Sequence, residues 1–557
     1  MLESQCLLEH QSFQLDHYAI PRLPPIQDED YVKNGEMYQI EPVGAHLYNF
    51  LPPGTSILSL PFVKMANVLG VSTVNADQTF NLQGETIIES WLAAFLMAVL
   101  AAIFFYTARL VLPLIHSLLV TAGGALGTQV WSMTSRSMFS DTWAMLLLSL
   151  AIFLLLSYEV KGDRIHPVLM ATILAWTYLV YPLYSVHVAA VTIYLLLAFN
   201  ARQSIAYLLT GAFWAAGLVG YSWYNFGHLL PSYFSARRLF FRQFWVALPG
   251  HLISPSRGVL IFVPTIFFVA YLLIRFRKFL PHRRLVVTAL AAISAHFVVI
   301  TGIGQWWGGH NYGSRFTTGM IPWLVLLAIL GLKAMLISEE KEPAPSFWRK
   351  RAAVSVGLVL LLASIWINGR GAISLATLEW NSRPLNVDKH VERVWDWRQP
   401  QFLAGLLPPP LPSDFPVIEA GTRIDFSNEV AEKYLWYGWS NAEHEFRWTN
   451  SNRAAIIFAL TEVKPMTLNL KLGPFLVPGR LDQQTVVVRL NQEAIATLTL
   501  RNSDADVYSI KLPANVLRQR NVLEFEMPGA ASPSAYNLNE DLRPLGIRVE
   551  YAQFLSD

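Results

Sequence analysis

Between two long apolar runs lies GIGQWWGGHNYGSRF, Gly302 to Phe316, where Trp306, Trp307, His310, Tyr312 and Arg315 crowd into one turn-rich stretch. Imidazole, phenol and guanidinium are donors for a phosphate, and indole faces stack on sugar rings or on the apolar part of a lipid. Tryptophans at the end of a span also form ordinary aromatic belts, and an arginine there can simply snorkel. A belt does not explain Gly308, Gly309 and Gly313, which let the backbone turn tightly and approach a ligand closely.

Other segments supply comparable groups. In HLISPSRGVLIFVP, Arg257 follows Ser-Pro-Ser, placed to pair bidentately with a phosphate or to sit among lipid headgroups. In SRSMFSDTWAM, Arg136 and Asp141 bracket a helix junction. An acid at the membrane edge is costly unless used or paired, and Arg136 is its available partner. Further upstream, Ile57, Leu58, Leu60, Phe62, Val63 and Met65 form a run too short to span. It reads as an interfacial helix entered through Pro52-Pro53-Gly54, with His46, Tyr48 and Asn49 just above the bilayer. Asp28, Glu29 and Asp30 read as a solvated acidic turn. Nucleotide-binding, serine-hydrolase and zinc-protease motifs are absent, and the 13 histidines make no pair at metal-ligand spacing. No cofactor is expected; a divalent ion is left open.

The elements that must position these groups follow from composition. With 53% hydrophobic and 15% charged residues in 557, the chain reads as a polytopic membrane protein. A net charge of +3 without a basic stripe gives no support for nucleic acid binding, and the single Cys6 excludes an intrachain disulfide. Apolar runs near 87–111, 113–133, 140–158, 165–182, 184–200, 204–225, 257–275, 285–304, 316–337 and 352–368 predict about ten spans. Alternating the loops puts Arg109, Lys161, Arg164, Arg202, Arg275 to Arg284 and Lys341 to Arg351 on one side, the cytoplasmic one by the positive-inside rule. Residues 1–86, the SMTSRSMFSD link, the loop Gly227 to Ser256, the WWGGHNYGSR turn and everything after 369 then face outward.

From 415 to 557 short alternating runs replace the long ones. In NVLEFEMPG, Leu523, Phe525 and Met527 face one way and Glu524 and Glu526 the other, which is the period of strands. The expectation is an all-β sandwich or jelly roll outside the cytoplasm, with 87–368 as the helical membrane domain. Residues 369–414 would be a linker, stiffened by GLLPPPLPSDFP. In YLWYGWS, Trp436, Tyr437 and Trp439 are either glycan contacts or packing, and packing is the preferred reading.

The ordered set LYNFLPPGTSILSLPF, TQVWSMTSRSMFSDTWAMLLL, SPSRGVLIFVP, WWGGHNYGSRF, WDWRQPQFLAGLL and the GWS of the β-region resembles the GT-C superfamily of membrane glycosyltransferases. The resemblance is to the protein O-mannosyltransferase and aminoarabinose lipid A transferase group, and it runs over nearly the whole chain. It implies inverting transfer of a sugar from a polyprenyl-phosphate donor to an envelope glycan, lipid or protein at the outer face of a bacterial inner membrane. On that reading His46, Tyr48, Arg136, Asp141, Arg257, Trp307, His310, Tyr312 and Arg315 are substrate-binding candidates. The family's first helix and the acidic pair after it have no counterpart: the sequence begins past them, which reads as a misassigned start or a truncated gene. No catalytic role passes to Asp16, Asp28 or Asp141. Two rivals stand beside this reading: an inactive homologue or scaffold that binds lipid-linked sugar, and a lipid or glycan transporter. A transporter places ionisable groups or broken helices near midmembrane in both halves, whereas the polar groups here gather at outward helix ends.

Overall fold

The structure is a computed structural model that describes the chain except for residues 21–38, 163, 236–238, 342–346, 383–384, 408–410, 413, 540, 542 and 557, and only the backbone of 347–350. The acidic turn Asp28, Glu29 and Asp30 and the tip of the Pro-rich linker lie outside the described residues. Two compact units result: Met1–Leu378 with Val391–Phe402, and Glu379–His390 with Leu403–Asp557. The stretch expected as a linker, 369–414, is thus divided between them.

The first unit is helical. It opens with α1 (Leu2–His10), a hairpin of β1 (Ile40–Val43) and β2 (His46–Asn49), and α2 (Gly54–Val68), where the sequence called for a short helix after Pro53. The bundle follows: α3 (Leu82–Arg109), α4 (Leu114–Ala125), α5 (Ser140–Lys161), α6 (Pro167–Val180), α7 (Ser185–Ala198), α8 (Ala201–Phe226), α9 (Phe244–Ile253), α10 (Val259–Phe262), α11 (Thr265–Arg275), α12 (Arg283–Ile300), α13 (Ile321–Lys341) and α14 (Phe347–Ile373). Local chemistry sets several ends. Asn81 caps α3 by accepting from the Gly84 N–H, Asn200 and Gln203 form a reciprocal cap on α8, and Gly162 and Gly227 end α5 and α8 in left-handed conformation.

Among the described residues six helical stretches are long and apolar enough to cross a membrane: Leu82–Arg109, Ser140–Lys161, Ala201–Phe226, Arg283–Ile300, Arg315–Lys341 and Arg351–Ile373. Leu114–Ala125, Pro167–Val180, Pro182–Ala198 and Thr265–Arg275 are shorter apolar helices. Two expected runs are broken. That over 113–133 stops at Ala125 and resumes as a π-helical turn, Val130–Thr134. That over 257–275 is interrupted after Phe262, ahead of Pro264. The helix that starts at Ile321 is the centre of the bundle, with Trp323, Leu326, Leu327, Ile329 and Leu330 all buried.

The second unit is a two-sheet β-domain. Its strands are β3 (Val417–Ile418), β4 (Arg423–Asp425), β5 (Leu435–Tyr437), β6 (Trp439–Ala442), β7 (Arg447–Thr449), β8 (Arg453–Leu460), β9 (Met466–Pro474), β10 (Gln484–Leu490), β11 (Glu493–Leu500), β12 (Asp506–Leu512), β13 (Arg520–Glu526) and β14 (Ile547–Ser556). One sheet runs β11-β10-β13-β8-β3 with β5 also on β8; the other runs β12-β9-β14-β7-β6 with β4 also on β14. Leu523, Phe525 and Met527 are fully buried, as their alternation predicts. Trp439 lies in the same core against Phe426 and Phe525, its indole N–H donating to Ala455 O at 2.8 Å. Trp436 and Tyr437 are half-buried.

Candidate functional site

Two loops and two helix starts build the site. The first loop is the turn after α9. Ser254 accepts from the backbone N–H groups of Ser256 and Arg257 and donates to Val394 O at 2.6 Å, fixing the backbone that launches Arg257. The Arg257 guanidinium is buried. Its Nε donates to Trp307 O at 2.7 Å, Nη1 to Ser256 O at 2.8 Å and Gln401 Oε1 at 2.6 Å, and Nη2 to Gly309 O at 3.2 Å. Gln401 extends the clamp: Oε1 also accepts from Gly313 N at 3.0 Å, while Nε2 donates to Asn311 O at 2.8 Å and Thr377 O at 2.9 Å. Arg257 therefore holds the tryptophan–glycine turn from behind. The sequence offers Arg257 to a phosphate or a lipid headgroup; in the structure its guanidinium donates to buried carbonyls of the turn, two of which, Trp307 O and Gly309 O, also accept from Asn311 Nδ2 at 3.2 Å.

The glycines in that turn make the tight backbone expected of them. Gly308, Gly309 and Gly313 have φ of 79°, 71° and 64°, and a Cβ on Gly313 would stand 2.5 Å from the Phe262 ring. Tyr312 is buried. Its hydroxyl donates to Ile367 O at 2.6 Å and its ring packs on Phe262, so the phenol is a strut and not a donor at the surface. Burial pushes that phenol above its ordinary range. Trp306 is buried against Gly250 and His251. Trp307 is half-buried and His310 exposed, so these two form the accessible rim.

Arg315 starts a 3-10 turn, Arg315–Met320, that leads into α13. Its guanidinium carbon lies 5.2 Å from the centre of the Phe139 ring and 5.7 Å from that of Phe316. Its Nε is buried with no hydrogen-bond partner among the described residues. Beside it is Asp141, 3% exposed at the start of α5. Asp141 Oδ1 accepts from Thr318 Oγ1 at 2.7 Å and Tyr184 Oη at 3.1 Å. The cation whose field reaches Asp141 is Arg315. The expected Arg136–Asp141 pairing is not made: Arg136 is exposed and donates to Gly371 O at 2.9 Å.

His46 and Tyr48 belong to another cluster. His46 Nδ1 lies 2.7 Å from Asp16 Oδ2, whose other oxygen accepts from Leu47 N at 2.8 Å. Tyr48 is buried on Phe226 and accepts from Gln14 Nε2 at 3.1 Å. Both residues fix the β1–β2 hairpin. Sequence reasoning missed Gln401, Thr318, Tyr184 and Glu3. Glu3 is 2% exposed, and burial raises its carboxyl pKa against hydrogen bonds from Ser56 and Asn49. Gln401 stands in the quoted stretch WDWRQPQFLAGLL, but nothing in its spacing points to Arg257, and the other three are isolated polar residues with no spacing to read.

An apolar groove completes the arrangement. It runs between α4, α11, α13 and α14, lined by Val120, Gly124, Val269, Leu272, Val325 and Leu361 among others. Its lining also includes Thr128, Val263 and Ile321. These residues lie beside the π-helical turn, α10 and the Arg315 turn.

No family model and no curated protein matches the chain. Among solved structures, a family 35 carbohydrate-binding module from an environmental isolate is 12% identical over 26% of this chain and 90% of that one, at a TM-score of 0.15. A family GH115 4-O-methyl-α-glucuronidase with specificity for decorated arabinogalactans is 11% identical over 73% of this chain, at a TM-score of 0.18. The match spans 44% of the glucuronidase. Neither likeness reaches the level at which folds correspond.

Proposed function

We propose that the chain is an integral membrane glycosyltransferase of GT-C type that takes a sugar from a polyprenyl-phosphate donor and delivers it to an envelope acceptor on the outward face. The observation that supports this best is Arg315. A guanidinium with a buried Nε, unpartnered among the described residues, opens the turn Arg315–Met320, which leads directly into Ile321 of the apolar groove. A polyprenyl phosphate is an anion and a hydrocarbon in one molecule, and this juxtaposition offers a cationic donor for one part and a slot for the other. Trp307 and His310 at the rim would meet the sugar, and Arg315 would stabilise negative charge on the leaving phosphate. Arg257, Gln401 and the glycines keep that rim in place.

Arg315→Ala should weaken binding of undecaprenyl phosphate by about tenfold or more, with little change for the neutral polyprenol, since charge-assisted bonds are each about 1.5–3 kcal/mol. Equal phosphate binding by a folded variant and by the unmodified chain would remove this reading. A binding-only homologue is told apart by a transfer assay in vesicles: bound donor without sugar release favours the scaffold.

A further inference from the structure

The helical unit also carries two histidines that the site above does not use. His187 on α7 and His296 on α12 are fully buried, their rings stacked with centres 4.7 Å apart. The Trp323 indole N–H donates to His187 Nδ1 at 3.1 Å. A neutral imidazole that accepts at Nδ1 carries its proton on Nε2, and that N–H has no acceptor among the described residues. His296 is the reverse: Nε2 donates to Phe316 O at 2.7 Å, which leaves Nδ1 a lone pair, also without a partner. Unpaired buried polar atoms are rare in native proteins. Here an orphaned donor and an orphaned acceptor occupy adjacent rings.

Both rings converge on Gly319. A Cβ there would stand 3.0 Å from His296 Cε1, 3.1 Å from His187 Nε2 and 3.3 Å from Tyr184 Cζ. Tyr184 donates its own proton to Asp141, so its oxygen is able to accept. The donor set does not suit a metal, because His187 presents an N–H instead of a lone pair. It suits water. One molecule accepts from His187 Nε2 and donates to His296 Nδ1 and Tyr184 Oη, the three bonds usual for a buried water.

We propose that His187, His296 and Tyr184 hold a buried water beside Gly319, and that this water completes a proton path between Asp141 and His296. In one passage His296, protonated at Nδ1 as well as Nε2, gives its Nδ1 proton to the water, the water passes one to Tyr184 Oη, and the Tyr184 hydroxyl proton moves to Asp141 Oδ1. One N–H bond breaks and one carboxyl O–H bond forms, so an imidazolium and a carboxylate become a neutral imidazole and a carboxylic acid, while water and phenol end unchanged. Run backwards, the path clears a proton from Asp141. The other titratable or charged groups facing it are Arg315 beside Asp141, Tyr181 beside Tyr184 and His251 beside His296. Ionisable side chains inside a membrane bundle are functional candidates in their own right, and the path stands whether or not the chain moves a sugar.

Solid-state NMR of the full chain in bilayers, with isotope-labelled histidine, tests this. Water protons should show close contact with His187 Nε2 and His296 Nδ1, the signals assigned through His187→Gln and His296→Gln. No water contact at either nitrogen in the unmodified protein overturns the proposal, whatever the variants do. Gly319→Ala puts a methyl against all three rings. It should abolish the water contacts and slow hydrogen–deuterium exchange at the Asp141 carboxyl, followed by infrared and assigned with Asp141→Asn, by about tenfold. An unchanged exchange rate in folded Gly319→Ala protein would overturn the path.

Discussion

At the residue scale, Arg257 and Arg315 show that two arginines in similar sequence settings take different work. Arg257 meets carbonyl and carboxamide oxygens along a planar fork; a lysine ammonium has neither the fork nor the reach to satisfy them together. Arg257→Lys should raise amide exchange in residues 306–313 by about tenfold or more, since each buried acceptor left unpaired costs about 1–3 kcal/mol. Exchange as slow as in the parent would mean the clamp is dispensable. His251 gives a pH signature. Burial lowers its pKa from 6.5 to about 4, so it stays neutral when folded. The folded value lies below the unfolded one, so its contribution is present above pH 6.5 and is lost as pH falls towards about 4. His251→Gln cannot charge, and thermal unfolding of that variant should lose less between pH 7 and pH 5 than the parent does. An identical loss would place the pH sensitivity elsewhere.

At the element scale, what was legible depended on whether a local pattern carried the information. Burial alternates along β13 as its residue types do, because strand period is a property of the chain itself. Apolar runs located the helices but not their breaks. The 113–133 run stays apolar through Gly123, Gly124 and Gly127, while the helix stops at Ala125. The partners of Asp141 were illegible for a different reason. Thr318 lies 177 residues away, and helix packing, not spacing, brings the two together. The packing reading of the aromatic run YLWYGWS holds most fully at Trp439, whose indole is enclosed by Phe426, Phe525 and a backbone acceptor, while Trp436 and Tyr437 pack on each other half-buried. Trp439→Ala should destabilise the β-domain by about 3–5 kcal/mol, measured by denaturant unfolding of the full chain. A loss under about 1 kcal/mol would show that this core tolerates a cavity at its centre.

At the scale of the whole molecule, the charged loops predict sidedness that the fold makes easy to test. Cys6 is the only cysteine and is buried, so single cysteines placed at exposed positions can be labelled against a quiet background. Gln305→Cys beside the tryptophan turn should react with an impermeant maleimide from outside the cell, and Lys278→Cys only after the membrane is opened. The opposite pattern would invert the orientation and move the Arg315 site to the cytoplasmic face.

The helix Ala201–Phe226 is only 11% buried within the protein across its apolar window, against 67% for Arg315–Lys341. It leans chiefly on α6, with Trp214 against Trp176, and turns Leu208, Leu209, Phe213 and Trp223 outward. The protein itself therefore supplies few of its lateral neighbours. In a bilayer, hydrocarbon would take their place along that flank, and the thickness and fluidity of the host membrane would help decide where the helix rests.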